Sequence, residues 1–119
     1  MRVDLAFGKT GLPIELPEGF EYQLLEARSA QPLPDPGQAL EDALDRPTAG
    51  PSLYELASGK STAAISVCDI TRPAPNRVTL PKVLARLHAA GIPRDGVTVL
   101  IATGLHRPAT AAEIREIVG

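Results

Sequence analysis

An α/β fold is predicted, an N-terminal β-hairpin followed by a parallel βαβ unit, on three observations. The chain opens with alternating residues around a glycine-rich turn; two short apolar runs lie further on; and a row of leucines and a valine at helical spacing separates those runs. Arg2 to Ala6 alternates polar with apolar, Gly8-Lys9-Thr10-Gly11 supplies turn residues, and Leu12 to Leu16 returns, so a hairpin is the simplest account of residues 1–26. Tyr22 to Leu25 is expected to add a further strand after the Pro17-Glu18-Gly19 turn. Five prolines between Gln31 and Pro51 leave room only for short elements. There, Asp35 caps a helix with Pro36 in its first turn, ended before Pro47, and Ser52 with Glu55 forms a capping box for a second, stopped at Gly59.

Thr62 to Val67 reads as a strand. Leu80, Val83, Leu84 and Leu87 then recur on one helix face after Thr79 and stop at Gly91, and Val97 to Ala102 is a second strand. Continuous apolar runs of this kind suit parallel strands covered on both faces. Thr110 and Glu113 cap a last helix carrying Ile114 and Ile117. The 119 residues are taken as one domain, with a hairpin region (1–26), a proline-rich short-helix lobe (31–59) and the βαβ unit with the start of the next helix (62–119). Two parallel strands are few for this class, so the expectation is a fragment of a larger Rossmann-like domain.

Composition bounds the function. Hydrophobic residues make up 44% and aromatics 3%, so the core must be built from Leu, Ile, Val and Ala. The formal charge is −2, yet nine acids and two bases (Arg28, Arg46) lie between Glu15 and Glu55, against seven bases and two acids between Lys60 and Arg107. A basic half can draw in an anionic small molecule, or it can simply be a solvated face. The acidic overall balance, without interleaved basic and aromatic residues, disfavours nucleic acid. No apolar stretch approaches the roughly 20 residues needed to span a bilayer, so no membrane partner is expected. The single Cys68 and the lack of a signal-peptide pattern make a cytoplasmic setting the expectation.

In open α/β sheets ligands bind beyond the carboxyl ends of the strands. Here the first strand runs into Cys68-Asp69-Ile70-Thr71-Arg72-Pro73-Ala74-Pro75-Asn76, and the second into Thr103-Gly104-Leu105-His106-Arg107-Pro108. One sheet edge thus gathers a carboxylate, a guanidinium and an imidazole. An arginine fork can grip a carboxylate in two places while a histidine beside it exchanges a proton and an aspartate orients the ring. Prolines 73, 75 and 108 restrict these loops. Each residue also has a plainer reading: Asp69 as a turn cap, Arg72 in a structural ion pair, His106 as an exposed loop histidine. His88 on the crossover helix reads as packed, and Cys68 as a small buried hydrophobe. Gly8-Lys9-Thr10 and Gly59-Lys60-Ser61 are no phosphate loops, because Val3 and Tyr54 stand where the upstream glycine is needed. No metal-ligating residue is singled out.

The Asp69-Ile70-Thr71-Arg72-Pro73 string, paired with Thr103-Gly104-Leu105-His106-Arg107-Pro108 at the next strand end, resembles the nickel-pincer lactate racemase family. The Gly8-Lys9-Thr10-Gly11 turn and Leu44-Asp45-Arg46-Pro47 fit the N-terminal region of that family. The resemblance implies a 2-hydroxy acid racemase or epimerase that moves a hydride to and from a nickel-pincer nucleotide, a pyridinium mononucleotide. It implies Arg72 on the substrate carboxylate, His106 as one of two acid/base histidines, Asp69 positioning or tuning the histidines, and Thr71, Thr103 and Gly104 at the cofactor. The family's cofactor lysine, nickel-binding histidine and second acid/base histidine are not in this sequence, so the rest of the parent enzyme is an expected partner and the fragment alone is expected to be inactive. A non-catalytic anion-binding α/β module, or a structural lobe, remains the alternative; a pure binding module has no need of His106.

Overall fold

A computed structural model describes residues 1–27 and 29–119. Its chain divides into two compact units, Met1–Gln31 and Pro32–Gly119. Arg28, one of the two bases of the acidic stretch, lies outside the described residues.

In the first unit, β1 (Arg2–Leu5) and β2 (Leu12–Glu15) pair antiparallel, with Val3 opposite Ile14 and Leu5 opposite Leu12. The return is made by Gly11, whose φ of +77° belongs to the left-handed region and whose N–H donates to the Phe7 carbonyl at 2.9 Å. The strand expected over Tyr22 to Leu25 does not form. Strand residues need a neighbour for their backbone groups, and none of the described strands pairs with this stretch. Tyr22 instead donates its hydroxyl to the Pro17 carbonyl at 2.7 Å, and Leu25 stays exposed.

The second unit begins with α1 (Pro36–Asp45), capped by Asp35, whose carboxylate accepts from the Gln38 N–H at 2.9 Å. The Ser52–Glu55 capping box starts α2 (Leu53–Ala57), and Gly59, with φ +73°, follows its end. Next come β3 (Ala63–Cys68), α3 (Asn76–Ala89), β4 (Val97–Ala102) and α4 (Ala111–Val118), with Thr110 and Glu113 capping α4 as a box. Strands β3 and β4 pair parallel and level, Ala63 against Val97 through Cys68 against Ala102. Gly96 permits that level start: a Cβ there would meet the Ser61 carbonyl oxygen at 2.5 Å. The crossover α3 ends on two bonds, Gly91 N–H to His88 and Ile92 N–H to Leu87 carbonyl, and Ile92 packs on Leu87 beneath them.

Two sequence expectations shift by a few residues. Strand β3 starts at Ala63 rather than Thr62, and α3 starts at Asn76, before Thr79. Thr79 lies inside the helix, where its hydroxyl donates back to the Pro75 carbonyl at 3.3 Å. Pro81 therefore falls in the second turn, where it removes one backbone donor.

The core is thin and aliphatic. Ala57, Leu87 and Ile92 form one cluster and Val67, Leu80 and Ile117 another, with Ile65 touching both. Burying a Leu or Ile side chain contributes about 1.5–3 kcal/mol, so these few positions carry much of the unit's cohesion. Coverage on both sheet faces, expected from the apolar runs, is not found among the described residues. Helices pack on the side of Ile65, Val67 and Ile101, while Ala64, Ser66 and Leu100 face outward. For the same reason Cys68, expected to be buried, is exposed. The proline-rich lobe is joined to α3 by charge: Arg86 forks onto Asp45 with two bonds of 2.7 Å, and Lys82 pairs with Glu41.

Candidate active site

Parallel, level strands deliver their following loops side by side at one edge of the sheet. The loop after β3 turns at once, with the Arg72 N–H donating to the Asp69 carbonyl at 3.2 Å. The loop after β4 turns on Thr103-Gly104-Leu105-His106, closed by the His106 N–H donating to the Thr103 carbonyl at 2.9 Å. Gly104 has φ +57° and, among the described residues, none other than glycine has positive φ, so Leu105 does not; this is the type II′ pattern and explains glycine at its first central position.

These two turns bring Asp69 and His106 into contact. Asp69 is only 7% exposed, and its Oδ1 accepts from the Thr71 hydroxyl at 2.6 Å and the Thr71 N–H at 3.2 Å. Its Oδ2 lies 2.5 Å from His106 Nδ1. The Thr71 hydroxyl bond first, and then the bond to His106, hold the Asp69 carboxyl below its ordinary value, against the opposing effect of burial. An ionised carboxylate has no proton to give, so Nδ1 is the donor, and in the neutral ring Nε2 keeps its lone pair. The His106 side chain is 53% exposed. The arrangement is an oriented base: a half-exposed imidazole held in one tautomer by a buried carboxylate, itself held by a threonine.

A recess of about 80 Å³ lies here, lined by Asp69, Ile70, Thr71, His106, Arg107, Ala109 and Glu113. Arg72 does not line it. Exposed in the same turn, its guanidinium has no hydrogen bond or ion pair among the described residues. Thr103 and Gly104 form the turn that carries His106 and do not line the recess either. Two larger apolar hollows, of about 530 and 480 Å³, flank the sheet away from the strand ends and contain no paired acid and base. His88, in the first, has its Nδ1 2.9 Å from the Ile92 carbonyl oxygen, a bond that ties down the end of α3. No group of three or more His, Cys, Asp or Glu side chains converges as a metal site among the described residues, and no described helix is long and apolar enough to cross a membrane.

Arg107 and Glu113 did not stand out in the sequence as a pair. Glu113 accepts from both Arg107 terminal nitrogens, at 2.9 and 2.7 Å, and from the N–H and hydroxyl of Thr110. Together these donors hold its carboxyl down to about 2. Its folded value is depressed, so its contribution to stability is present above the ordinary 4.5 and lost as pH falls toward 2. Melting temperatures from pH 6 down to 2 should therefore fall less for Glu113→Gln than for the wild type; parallel curves would contradict the assignment. The pairs to Glu41, Asp45 and Glu113 also occupy Lys82, Arg86 and Arg107, so much of the basic half is neutralised within the fold.

An α/β unit with a carboxylate-oriented histidine at its strand ends is the kind of scaffold on which acid–base enzymes are built. The profile of the lactate racemase N-terminal domain family matches residues 7–119, and the chain belongs to that family. It is 30% identical over 119 residues to the lactate racemase of Thermoanaerobacterium thermosaccharolyticum, an alignment covering 98% of this chain and 28% of that protein. It is 39% identical over 77 residues to the lactate racemase of Lactiplantibacillus plantarum, covering 65% of this chain and 18% of that one. The solved apoprotein of the Thermoanaerobacterium enzyme superposes with a TM-score of 0.73 at 30% identity, across 98% of this chain and 27% of that chain. The chain thus spans under a third of the length of these relatives.

Proposed function

We propose that this chain is the N-terminal part of a lactate racemase-like 2-hydroxy acid racemase, in which His106, oriented by Asp69, moves the proton of the substrate hydroxyl. The observation that carries the reading is the 2.5 Å contact between His106 Nδ1 and the buried Asp69 carboxylate. Inverting a carbon that bears a hydroxyl by hydride removal requires that the hydroxyl proton leave and return, and Nε2 is the nitrogen available to take it. As the proton arrives, the Asp69 carboxylate stabilises the imidazolium that forms. Thr71 keeps Asp69 ionised. Arg72, unpaired in the adjacent turn, is assigned to the substrate carboxylate, which its planar fork can meet with two parallel N–H bonds.

By the family resemblance, the rest of the reaction would be hydride chemistry at the substrate carbon, which a nickel-pincer nucleotide would supply when bound. The described residues offer no ligand set for nickel, and no step is derived through the metal. They fit the proton side of the chemistry. We assign Thr71, Thr103 and Gly104 to cofactor contact; Thr71 serves there only as an acceptor or through its methyl, since its hydroxyl and N–H are both directed to Asp69. The 119 residues by themselves are expected to be inactive, the remainder of the parent providing the cofactor anchor, and the exposed free Cys68 fits a cytoplasmic setting.

Arg72→Lys in the full-length parent should raise KM for lactate by about tenfold or more with the melting temperature unchanged, because an ammonium cannot reproduce the two-donor grip. Steady-state kinetics from each enantiomer check this, and wild-type KM and kcat would remove Arg72 from the site.

A further inference from the structure

We propose that Arg107 and Glu113 are positioning residues for His106, forming a brace that fixes the loop from which the imidazole reaches Asp69. The proposal deepens the acid–base reading of His106 and rests on it. His106 stands between two very different neighbours: Leu105 is fully exposed and anchors nothing, whereas Arg107 reaches across to α4. There its guanidinium engages both oxygens of Glu113, and its Nη1 also donates to the Pro108 carbonyl at 3.1 Å.

A capping box needs only one carboxylate oxygen. Glu113 uses Oε2 for the Thr110 N–H and hydroxyl, at 2.8 and 3.0 Å, and still presents Oε1 to Arg107 at 2.7 Å. One carboxylate therefore joins the start of a helix to the residue after the histidine. With the Thr103 turn bond upstream, the His106 backbone is held from both sides. The Arg107 side chain is 66% exposed, so water screens its pair with Glu113 and leaves it only part of the acid-dependent stability that Glu113 carries. The effect of this one falls on geometry: displacing a catalytic group by about 1 Å can cost on the order of a hundredfold in rate.

The test has two arms. His88 and His106 are the only histidines of the chain, so ¹⁵N-histidine NMR reads the His106 tautomer with His88 as internal reference. Arg107→Lys keeps the charge and loses the fork; Glu113→Gln keeps a carbonyl for the Thr110 cap and loses the fork's partner. Both should shift the His106 nitrogens from the Nδ1–H pattern toward the Nε2–H pattern, with His88 unmoved. In the full-length parent both should lower kcat about ten- to a hundredfold, with KM for lactate and cofactor content retained. Wild-type tautomer and wild-type kcat in both variants would overturn the brace. Normal racemisation by His106→Ala would instead remove the acid–base role, and the NMR arm would still decide whether the brace orients the ring.

Discussion

His106→Ala in the full-length parent should lower racemisation about a hundred- to ten-thousandfold from either enantiomer while cofactor loading stays intact. Alanine removes the imidazole that Asp69 orients, and no other residue lining the recess stands in its place: Asp69 is freed on Oδ2 but is only 7% exposed behind the lost ring, Glu113 is held by four donors and Arg107 is a cation. Both directions suffer because the group that takes the hydroxyl proton from one enantiomer returns it to form that enantiomer from the other. The fold should survive, since the His106 side chain is half-exposed and contributes no core contact. Nickel content and the initial rates from each enantiomer, measured on the same preparation, check the prediction; near-normal rates both ways would make His106 a loop residue.

The second large effect is expected at Asp69. Asp69→Asn preserves volume at a 7% exposed position, but an amide that turns its NH₂ toward His106 asks Nδ1 to accept, which moves the ring proton to Nε2 and removes the base. Where an orienting carboxylate in an Asp-His pair is replaced by its amide, losses reach about ten-thousandfold in kcat, and a fall of at least about a hundredfold is expected here. KM for lactate should change little, because Asp69 faces the imidazole and Thr71. Stability should also lose its dependence on the Asp69 carboxyl. That group is held below its ordinary 3.8 in the folded chain, so the stability it adds is present above that value and disappears as pH falls beneath it. A variant with unchanged kcat would contradict the orienting role.

What could be read from the sequence, and what could not, divides along a physical line. The caps at Asp35, Ser52 and Thr110 were legible because a cap is satisfied by residues within three positions of itself. Strand β4 and the parallel pairing followed from apolar runs bracketing a helical row. The stretch Tyr22 to Leu25 has strand-like residues, but strand formation depends on a partner elsewhere in the chain. The apolar row begins only at Leu80, and only the backbone path from Pro75 shows that the helix starts earlier, at Asn76. Cys68 reads as buried yet is exposed, because an apolar run does not say which sheet face is covered. At the site, Asp69 and His106 could be placed at neighbouring strand ends with the aspartate orienting the ring, but not which ring nitrogen it meets or the Thr71 hydroxyl that holds it from behind. The second use of Glu113 was hidden because its capping role already accounts for a glutamate at that position.

On the proposed reading, His106 Nε2 meets the substrate hydroxyl. A crystal structure of the full-length parent with lactate bound tests it most directly. The hydroxyl oxygen should lie within about 2.6–3.2 Å of Nε2, with Asp69 still on Nδ1 and the lactate carboxylate on the Arg72 guanidinium. Lactate bound with its hydroxyl out of reach of His106, or with the imidazole turned away from Asp69, would contradict it.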